Sequence, residues 1–350
     1  MADPGPRRSR SKAAASTVSG LLVIDKPPGC TSHDVVARCR KVFGLRKVGH
    51  AGTLDPDATG VLLVGLGPVT RLLRYLSGLP KSYTAEVVLG VATSTLDASG
   101  NVTGAWDMSS VTLADARSAA ATLTGTISQI PPMVSAVHVG GMRLHELARA
   151  GIEVERAPRT VTVTRFDIDG LVTGAGGDGA GPVLSVAVDC STGTYIRSLA
   201  HDLGTALGGG AHVRNLRRTA VGPFLAADAV ALDQVSPADL LPPVAALPGL
   251  PAVSVDAELM AAVGHGKVMA PAELGVGGPG PWTVLGPDGQ VLAVYEAHED
   301  GRVKPAVVLA AQAGAADAAG VADAAGVEPA APEPDESEPD ESGPELSHHR

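Results

Sequence analysis

The chain has 350 residues, 45% of them apolar and only 18% charged, so it can bury a large core plus a smaller one and is not disordered throughout. Its 43 glycines and 27 prolines point to a turn-rich, partly β framework, and no apolar run reaches the roughly 18 residues of a membrane span. The net charge of −10 is unevenly placed: residues 311–350 hold ten acidic groups and one basic, residues 1–18 four basic and one acidic, and the body between carries only −4, so the acidic average does not exclude a nucleic acid.

Residues 1–18 are small, polar and basic, lack the apolar stretch of a secretory signal, and are expected to form a disordered arm. Order is predicted from Gly20, where GLLVIDKPPG reads as a short strand ended by a Pro-Pro-Gly turn. SHDVVARCRKVFG reads as an amphipathic helix with Ser32 as its cap and Val35, Val36, Cys39 and Phe43 near helical spacing. A loop rich in Gly, Thr, His and Asp then leads into the apolar VLLVGLG, and SYTAEVVLGVAT alternates as a strand does. LADARSAAATLTG predicts a helix, and PVLSVAVDCSTGTYIRSLAHDLG predicts strand, tight turn and helix. Residues 237–251 turn Pro- and Leu-rich, as linkers do, and 252–310 holds short strands with Asp288-Gly289 as a hairpin signal. The acidic tail, 311–350, has no core-forming residues and is expected to be disordered. Cys30, Cys39 and Cys190 share no metal-ligand spacing and cannot pair evenly, which fits a reducing cytoplasm.

The chemistry concentrates in G-H-A-G-T-L-D-P-D-A-T-G, which holds His50, Asp55 and Asp57. Glycines let the backbone turn tightly and Pro56 stiffens the chain after Asp55. A carboxylate on a rigid loop can act as nucleophile, general base or metal ligand, and an isolated Asp-Pro is more often an Asx-turn. The D-x-D-x-T spacing from Asp55 to Thr59 also matches phosphatases of the haloacid dehalogenase type, but there the first Asp ends an apolar strand, and VGHAGT is not one. Two local basic clusters, Arg38 to Lys47 and Arg214 to Arg218, read by themselves as solvated faces.

Six ordered blocks carry a resemblance: GLLVIDKPPGCTSHDVV, KVGHAGTLDPDATGVLLVGLGPVTRL, KSYTAEVVLG, QIPPMVSAVHVGGMRLHELARAG, CSTGTYIRSLAHDLG and LRRTAVGPF. Over residues 19 to 225 the chain resembles the TruB family of bacterial tRNA pseudouridine synthases, enzymes that isomerise the uridine at position 55 in the T-arm loop of tRNA. The resemblance implies Asp55 as the catalytic residue and Arg197 as its partner. It implies Tyr83 as the active-site tyrosine that stacks on the base and is a candidate for proton transfer. Tyr195 and Leu216 would line the substrate pocket, His50 would touch RNA where the target nucleotide is expelled, and Lys26 would support the site or contact a phosphate. The carboxylate could attack the sugar, attack the ring, or remove a sugar proton; all three routes stay open.

The family likeness further implies an α+β pseudouridine synthase fold, a central mixed, largely antiparallel sheet followed by a small C-terminal β domain of PUA type. The expected organisation is a catalytic domain at 19–236, a mobile RNA-binding loop at 129–152 within it, a linker at 237–251 and the PUA-like domain at 252–310. Met133, Met142, Arg143, His145 and Arg149 would serve that loop, where His138 stands in place of the family's usual lysine. No cofactor and no metal are expected; the partner is tRNA, the protein a cytoplasmic monomer without membrane contact. A non-catalytic RNA chaperone using the same groove is the second class, against which the joint presence of Asp55, Tyr83 and Arg197 argues.

Overall fold

The run GLLVIDK at Gly20–Lys26 (β1) is apolar on both faces, with Leu21, Leu22 and Ile24 wholly inaccessible, and a strand of that kind must be covered on both sides. The structure, a computed structural model, describes residues 18–135, 138–139, 142–143, 152, 154–174 and 181–309. The expected basic arm (but for residue 18), the acidic tail and half of the expected mobile loop, with His145 and Arg149, lie outside these residues.

After β1 come α1 (Ser32–Phe43), β2 (Val48–Ala51), β3 (Thr59–Leu66), α2 (Leu73–Ser77), β4 (Lys81–Leu89), β5 (Val91–Thr93) and β6 (Val102–Ala105). Then follow α3 (Leu113–Thr122), β7 (Gly125–Gln129), the short pair β8 (His138–Val139) and β9 (Met142–Arg143), and β10 (Arg159–Val172). The rest of the larger part is β11 (Val183–Cys190), α4 (Ile196–Ala206), β12 (Ala211–Val221), β13 (Phe224–Leu225) and β14 (Val230–Ala231). Last are β15 (Ala252–Ser254), α5 (Ala257–Gly264), α6 (Pro271–Leu274), β16 (Trp282–Leu285), β17 (Val291–Ala297) and β18 (Val303–Val308).

Ten of the described strands form one sheet, ordered β14-β1-β3-β12-β4-β11-β10-β7, with β2 also on β3 and β13 on β12. Its pairings are antiparallel except β1 with β14 and β12 with β3, so the sheet is mixed and largely antiparallel as expected. On one face of β1, Leu22 and Ile24 pack with Val35, Val36 and Cys39 of α1. On the other, Leu21 and Val23 pack with Leu72 and Leu76, and with Val291, Val294 and Val307 of the C-terminal sheet. A further core joins β4, β10 and β11 to α3 and α4 through Val87, Val186, Ala116, Leu199 and Leu203.

One local expectation changes. The cap of α1 is Thr31, one residue before Ser32, because Thr31 and Asp34 exchange hydrogen bonds as a capping box. Ser32 instead turns inward, with the consequence for Leu54 given below. The Pro-rich segment 237–251 is docked along β1: Leu21 and Leu241 exchange both backbone hydrogen bonds, and Ala246 and Leu247 are buried. The C-terminal sheet runs β15-β16-β17-β18, with Gly289 at positive φ in the turn between β16 and β17. Among the described residues no helix is long and apolar enough to cross a membrane.

Candidate active site

The loop between β2 and β3 carries Asp55, and three buried polar groups from outside hold it. Ser32 Oγ accepts from the Leu54 backbone N–H at 3.0 Å and donates to its carbonyl at 3.3 Å. Lys26 Nζ donates to the carbonyls of Pro27, Cys30 and Pro56 at 2.9, 2.7 and 2.8 Å. Arg218 donates through Nε to Val61 O at 2.7 Å, through Nη2 to Gly52 O at 3.1 Å and through Nη1 to Thr53 O at 3.5 Å. Left unpaired, each buried carbonyl would cost about 1–3 kcal/mol, so these contacts give the loop one conformation.

Two roles were expected of Lys26, support of the site or contact with a phosphate. Lys26 is wholly inaccessible and spends all three N–H groups on backbone, so it supports the loop and has no donor left for a phosphate. Burial holds its ammonium pKa below the usual lysine value.

Arg197, in the first turn of α4, is 4% exposed and grips Asp55 at two points, an ion-pair contact from Nε to Oδ2 at 3.0 Å and a hydrogen bond from Nη2 to Oδ1 at 3.1 Å. Its remaining N–H groups meet the carbonyls of Thr95 (2.9 Å) and Val134 (2.7 Å), and Asp97 Oδ2 lies 3.7 Å from Nη1. The guanidinium plane is thereby fixed on every side. The Asp55 side chain keeps 38% exposure, so the carboxylate remains open to a ligand. Burial in the pocket raises its carboxyl above the usual Asp value, while the Arg197 guanidinium works in the opposite direction.

Asp55, Tyr83, Tyr195, Arg197 and Leu216 line one cavity of about 270 Å³, with Lys81, Thr192, Ser135 and Arg218 completing the wall. Its size is near the lower end for small-molecule sites and suits a single nucleoside. Tyr83 sits on β4 opposite Arg218 of β12, and burial raises its phenol above the ordinary tyrosine value, which keeps it protonated as a donor. Leu216 is aimed inward by a bulge: the β12–β4 register slips between Arg214 and Arg217, and Asn215 takes a φ of 51°. Tyr195 caps α4 and is clamped by Gln129, whose side-chain amide accepts from the Tyr195 N–H at 2.7 Å and donates to its carbonyl at 3.1 Å.

His50 stands apart from this group. It lies on β2, half-buried, edge-on to His33 with ring centroids 5.5 Å apart, and is not part of the cavity lining. Burial, His33 and Arg218 all hold its pKa down, and its Nδ1 has no partner among the described residues.

Sequence reasoning missed Arg218, Lys81, Asp97, Gln129 and Ser32. Arg218 read as part of a solvated basic cluster; it is in fact the largest fully buried side chain of the described chain. Asp97 follows Leu96, a non-glycine residue at φ 62°, in a turn stapled by Thr95 and Ser99 to the Asp97 carboxylate. The T-x-D-x-S spacing of that turn was its one legible signal. The start of the expected mobile loop is tied to α4: Ser198 Oγ donates to Ile130 O at 2.8 Å, and Arg197 to Val134 O as above. No cluster of three or more His, Cys, Asp or Glu suited to a metal occurs among the described residues.

Comparison with known proteins agrees with the geometry. Residues 40–196 match the model of the TruB family pseudouridylate synthase N-terminal domain, and residues 197–241 that of the tRNA pseudouridylate synthase B C-terminal domain. The chain is 45% identical over 306 residues to tRNA pseudouridine synthase B of Rhodococcus jostii, spanning 86% of this chain and 97% of that protein. It is 49% identical over 261 residues to the protein of the same name from Symbiobacterium thermophilum, 74% of this chain and 85% of that one. Among solved structures, a chain of a Cbf5-Nop10-Gar1 complex is similar with a TM-score of 0.62 at 28% identity, covering 82% of this chain and 83% of that one. A chain of an H/ACA RNP bound to a substrate RNA containing 2′-deoxyuridine is similar with the same TM-score of 0.62 at 26% identity, covering 84% and 86%.

Proposed function

The chain belongs to the TruB family and is a tRNA pseudouridine synthase, and from that premise we propose that it isomerises the uridine at position 55 of the tRNA T-arm loop, with Asp55 as the catalytic carboxylate (the shared number is accidental). The observation that carries this reading is the two-point Asp55–Arg197 pair opening into a nucleoside-sized cavity walled by Tyr83, Tyr195 and Leu216. A carboxylate held that way has one orientation and stays reachable. Binding alone would need neither the buried arginine nor the carboxylate it holds, which sets the chaperone reading second.

The target nucleotide must leave the stacked loop to reach the cavity, at roughly a few kcal/mol. Tyr83 would stack on the flipped base, Tyr195 and Leu216 would wall it, and His50, outside the cavity, would meet the RNA that the nucleotide vacates. Arg197 favours the ionised form of Asp55 against the upward push of burial and fixes the carboxylate for the sugar-base bond. Residues 19–236 are proposed as the catalytic domain, 129–152 as the segment that closes on RNA, and 252–310 as a PUA-type domain reaching further along the tRNA. The protein is proposed to work as a cytoplasmic monomer.

The test incubates unmodified tRNA with wild type and with Asp55→Asn, in EDTA after the RNA has been folded, and maps pseudouridine by carbodiimide-dependent reverse-transcription stops. A stop at position 55 is expected with wild type and none with Asp55→Asn, with RNA affinity near wild type in both. Turnover by the purified Asn variant well above contamination would sink the assignment of Asp55. A stop elsewhere would move the target, and activity restored only by a divalent ion would bring a metal into the mechanism.

A further inference from the structure

Lys81 lines the pocket, and among the described residues no carboxylate pairs with it. It precedes Tyr83 by two residues on β4, so both side chains share one face of the strand, and both line the Asp55 cavity. It is 7% exposed and gives two N–H groups to backbone, to the carbonyls of Ser77 at 3.0 Å and Leu79 at 2.7 Å. An ammonium has three, and among the described residues the third has no acceptor. A side chain built at Gly52 would meet Lys81 Cε at 3.7 Å and Arg218 Nη1 at 3.6 Å, which sets Lys81 beside the loop that carries Asp55. The neighbouring guanidinium groups are already engaged, Arg197 with Asp55 and Asp97, Arg218 with three carbonyls.

We propose that Lys81 is a catalytic residue whose third N–H binds the uracil oxygen on which negative charge collects during isomerisation. The proposal rests on the reading of this cavity as a uridine site. When the bond between N1 and C1′ breaks heterolytically, its electron pair goes to the uracil and the charge spreads onto O2 and O4. Asp55 meets the sugar side, by bonding C1′ or by taking the 2′ proton. In the ring-attack route, addition of Asp55 to C6 places the charge on O4 instead. C5 then bonds to C1′ and loses its proton, N1 ends protonated, and Asp55 is released or, in the route through the 2′ proton, returns that proton to C2′, so substrate and product have the same atoms. Every route makes an oxyanion, which a donor fixed in advance stabilises without reorganising.

The pocket chemistry supports an ammonium that is poised to respond. Burial and the Arg218 charge bring the Lys81 pKa down to about 8. Burial moves the other titratable groups facing it upward: Cys190, its register partner on β11, has a thiol pushed up to about 11, and Tyr83 is raised above the ordinary tyrosine value. Asp55 lines the same cavity, its carboxyl raised by burial against the opposing Arg197 charge, and it governs the acid side of the profile. Lys26, also lowered, is buried against backbone and is separable by mutation.

The experiment measures single-turnover pseudouridine formation on a prefolded T-arm stem-loop from pH 6 to 10, at saturating RNA, for wild type, Lys81→Gln and Lys81→Arg. The wild-type rate should fall as pH rises through about 8, where the ammonium loses its proton. Lys81→Gln should be about 100-fold slower at pH 7, the scale for removing one oxyanion donor, with RNA affinity little changed and no inflection near that pH. Lys81→Arg stays charged throughout, so it should recover part of the rate and also lack the inflection, which covers the case in which the Gln variant folds poorly. Lys81→Gln at the wild-type rate overturns the proposal. So does an inflection that persists in both variants, which assigns the titration to another group. Weaker RNA binding with an unchanged saturated rate overturns it in favour of a phosphate contact. If wild type itself makes no pseudouridine in the stem-loop, the uridine-site reading falls and this proposal with it.

Discussion

Arg197→Lys keeps the positive charge and removes the fork, and so separates charge from geometry at the centre of the site. In the wild type the guanidinium serves four acceptors: both Asp55 oxygens at 3.0 and 3.1 Å, Thr95 O at 2.9 Å and Val134 O at 2.7 Å. Lysine presents three N–H groups from one point, and these acceptors are arranged around a plane. At least one buried acceptor is abandoned, and the two-point grip on the carboxylate becomes one-point. A hydrogen bond to a charged group contributes about 1.5–3 kcal/mol, so losing one or two contacts removes roughly 2–4 kcal/mol, or about 30- to 1,000-fold in rate if it appears in the transition state. Catalysis in this reading needs the Asp55 carboxylate, so the rate rises with pH through the carboxyl pKa. The Arg197 contact favours the ionised form and opposes the upward push of burial; weakening it lets the pKa climb, and the acid limb of the rate profile moves to higher pH. Single-turnover pseudouridine formation between pH 5 and 8, with RNA affinity measured alongside, reads both effects. A Lys variant with the wild-type rate and an unmoved acid limb would refute the claim that the fork positions and ionises Asp55.

Ser32→Ala leaves both the N–H and the C=O of buried Leu54 without their partner, so it should cost about 1–3 kcal/mol and lower Tm by a few degrees; the rate should fall with it because the Asp55 loop loosens, and a variant with unchanged Tm and rate would show that Ser32 does not hold the loop. Lys26→Met should strip the donor from three buried carbonyls and lower Tm clearly while the RNA affinity of the folded protein stays near wild type. Intact Tm with weakened RNA binding would instead return Lys26 to the phosphate.

Much of this protein was legible along the chain because the signals were local. The apolar runs GLLVID and VLLVGLG became β1 and β3, and LADARSAAAT and IRSLAHDLG became helices, since burial pattern and turn residues act within a few positions of themselves. The block around Asp55 announced itself by glycine, proline and carboxylate in one short loop, and the Thr-Tyr-Ile-Arg block by its place after a strand and a tight turn. What tertiary structure alone decided was the fate of the cations. In AHVRNLRRTAV the arginines look like a solvated stretch, yet this is β12, between β3 and β4 in the middle of the sheet, with Arg218 1% exposed and Arg217 paired to Asp25 at 2.8 and 2.9 Å. A guanidinium can be buried only where backbone carbonyls or carboxylates meet every N–H. Those acceptors come from residues 25, 52, 53 and 61, more than 150 positions away, so no local pattern could announce them. Arg197 and Gln129 follow the same rule: sequence supplied the polar groups, and only the fold supplied what they bind.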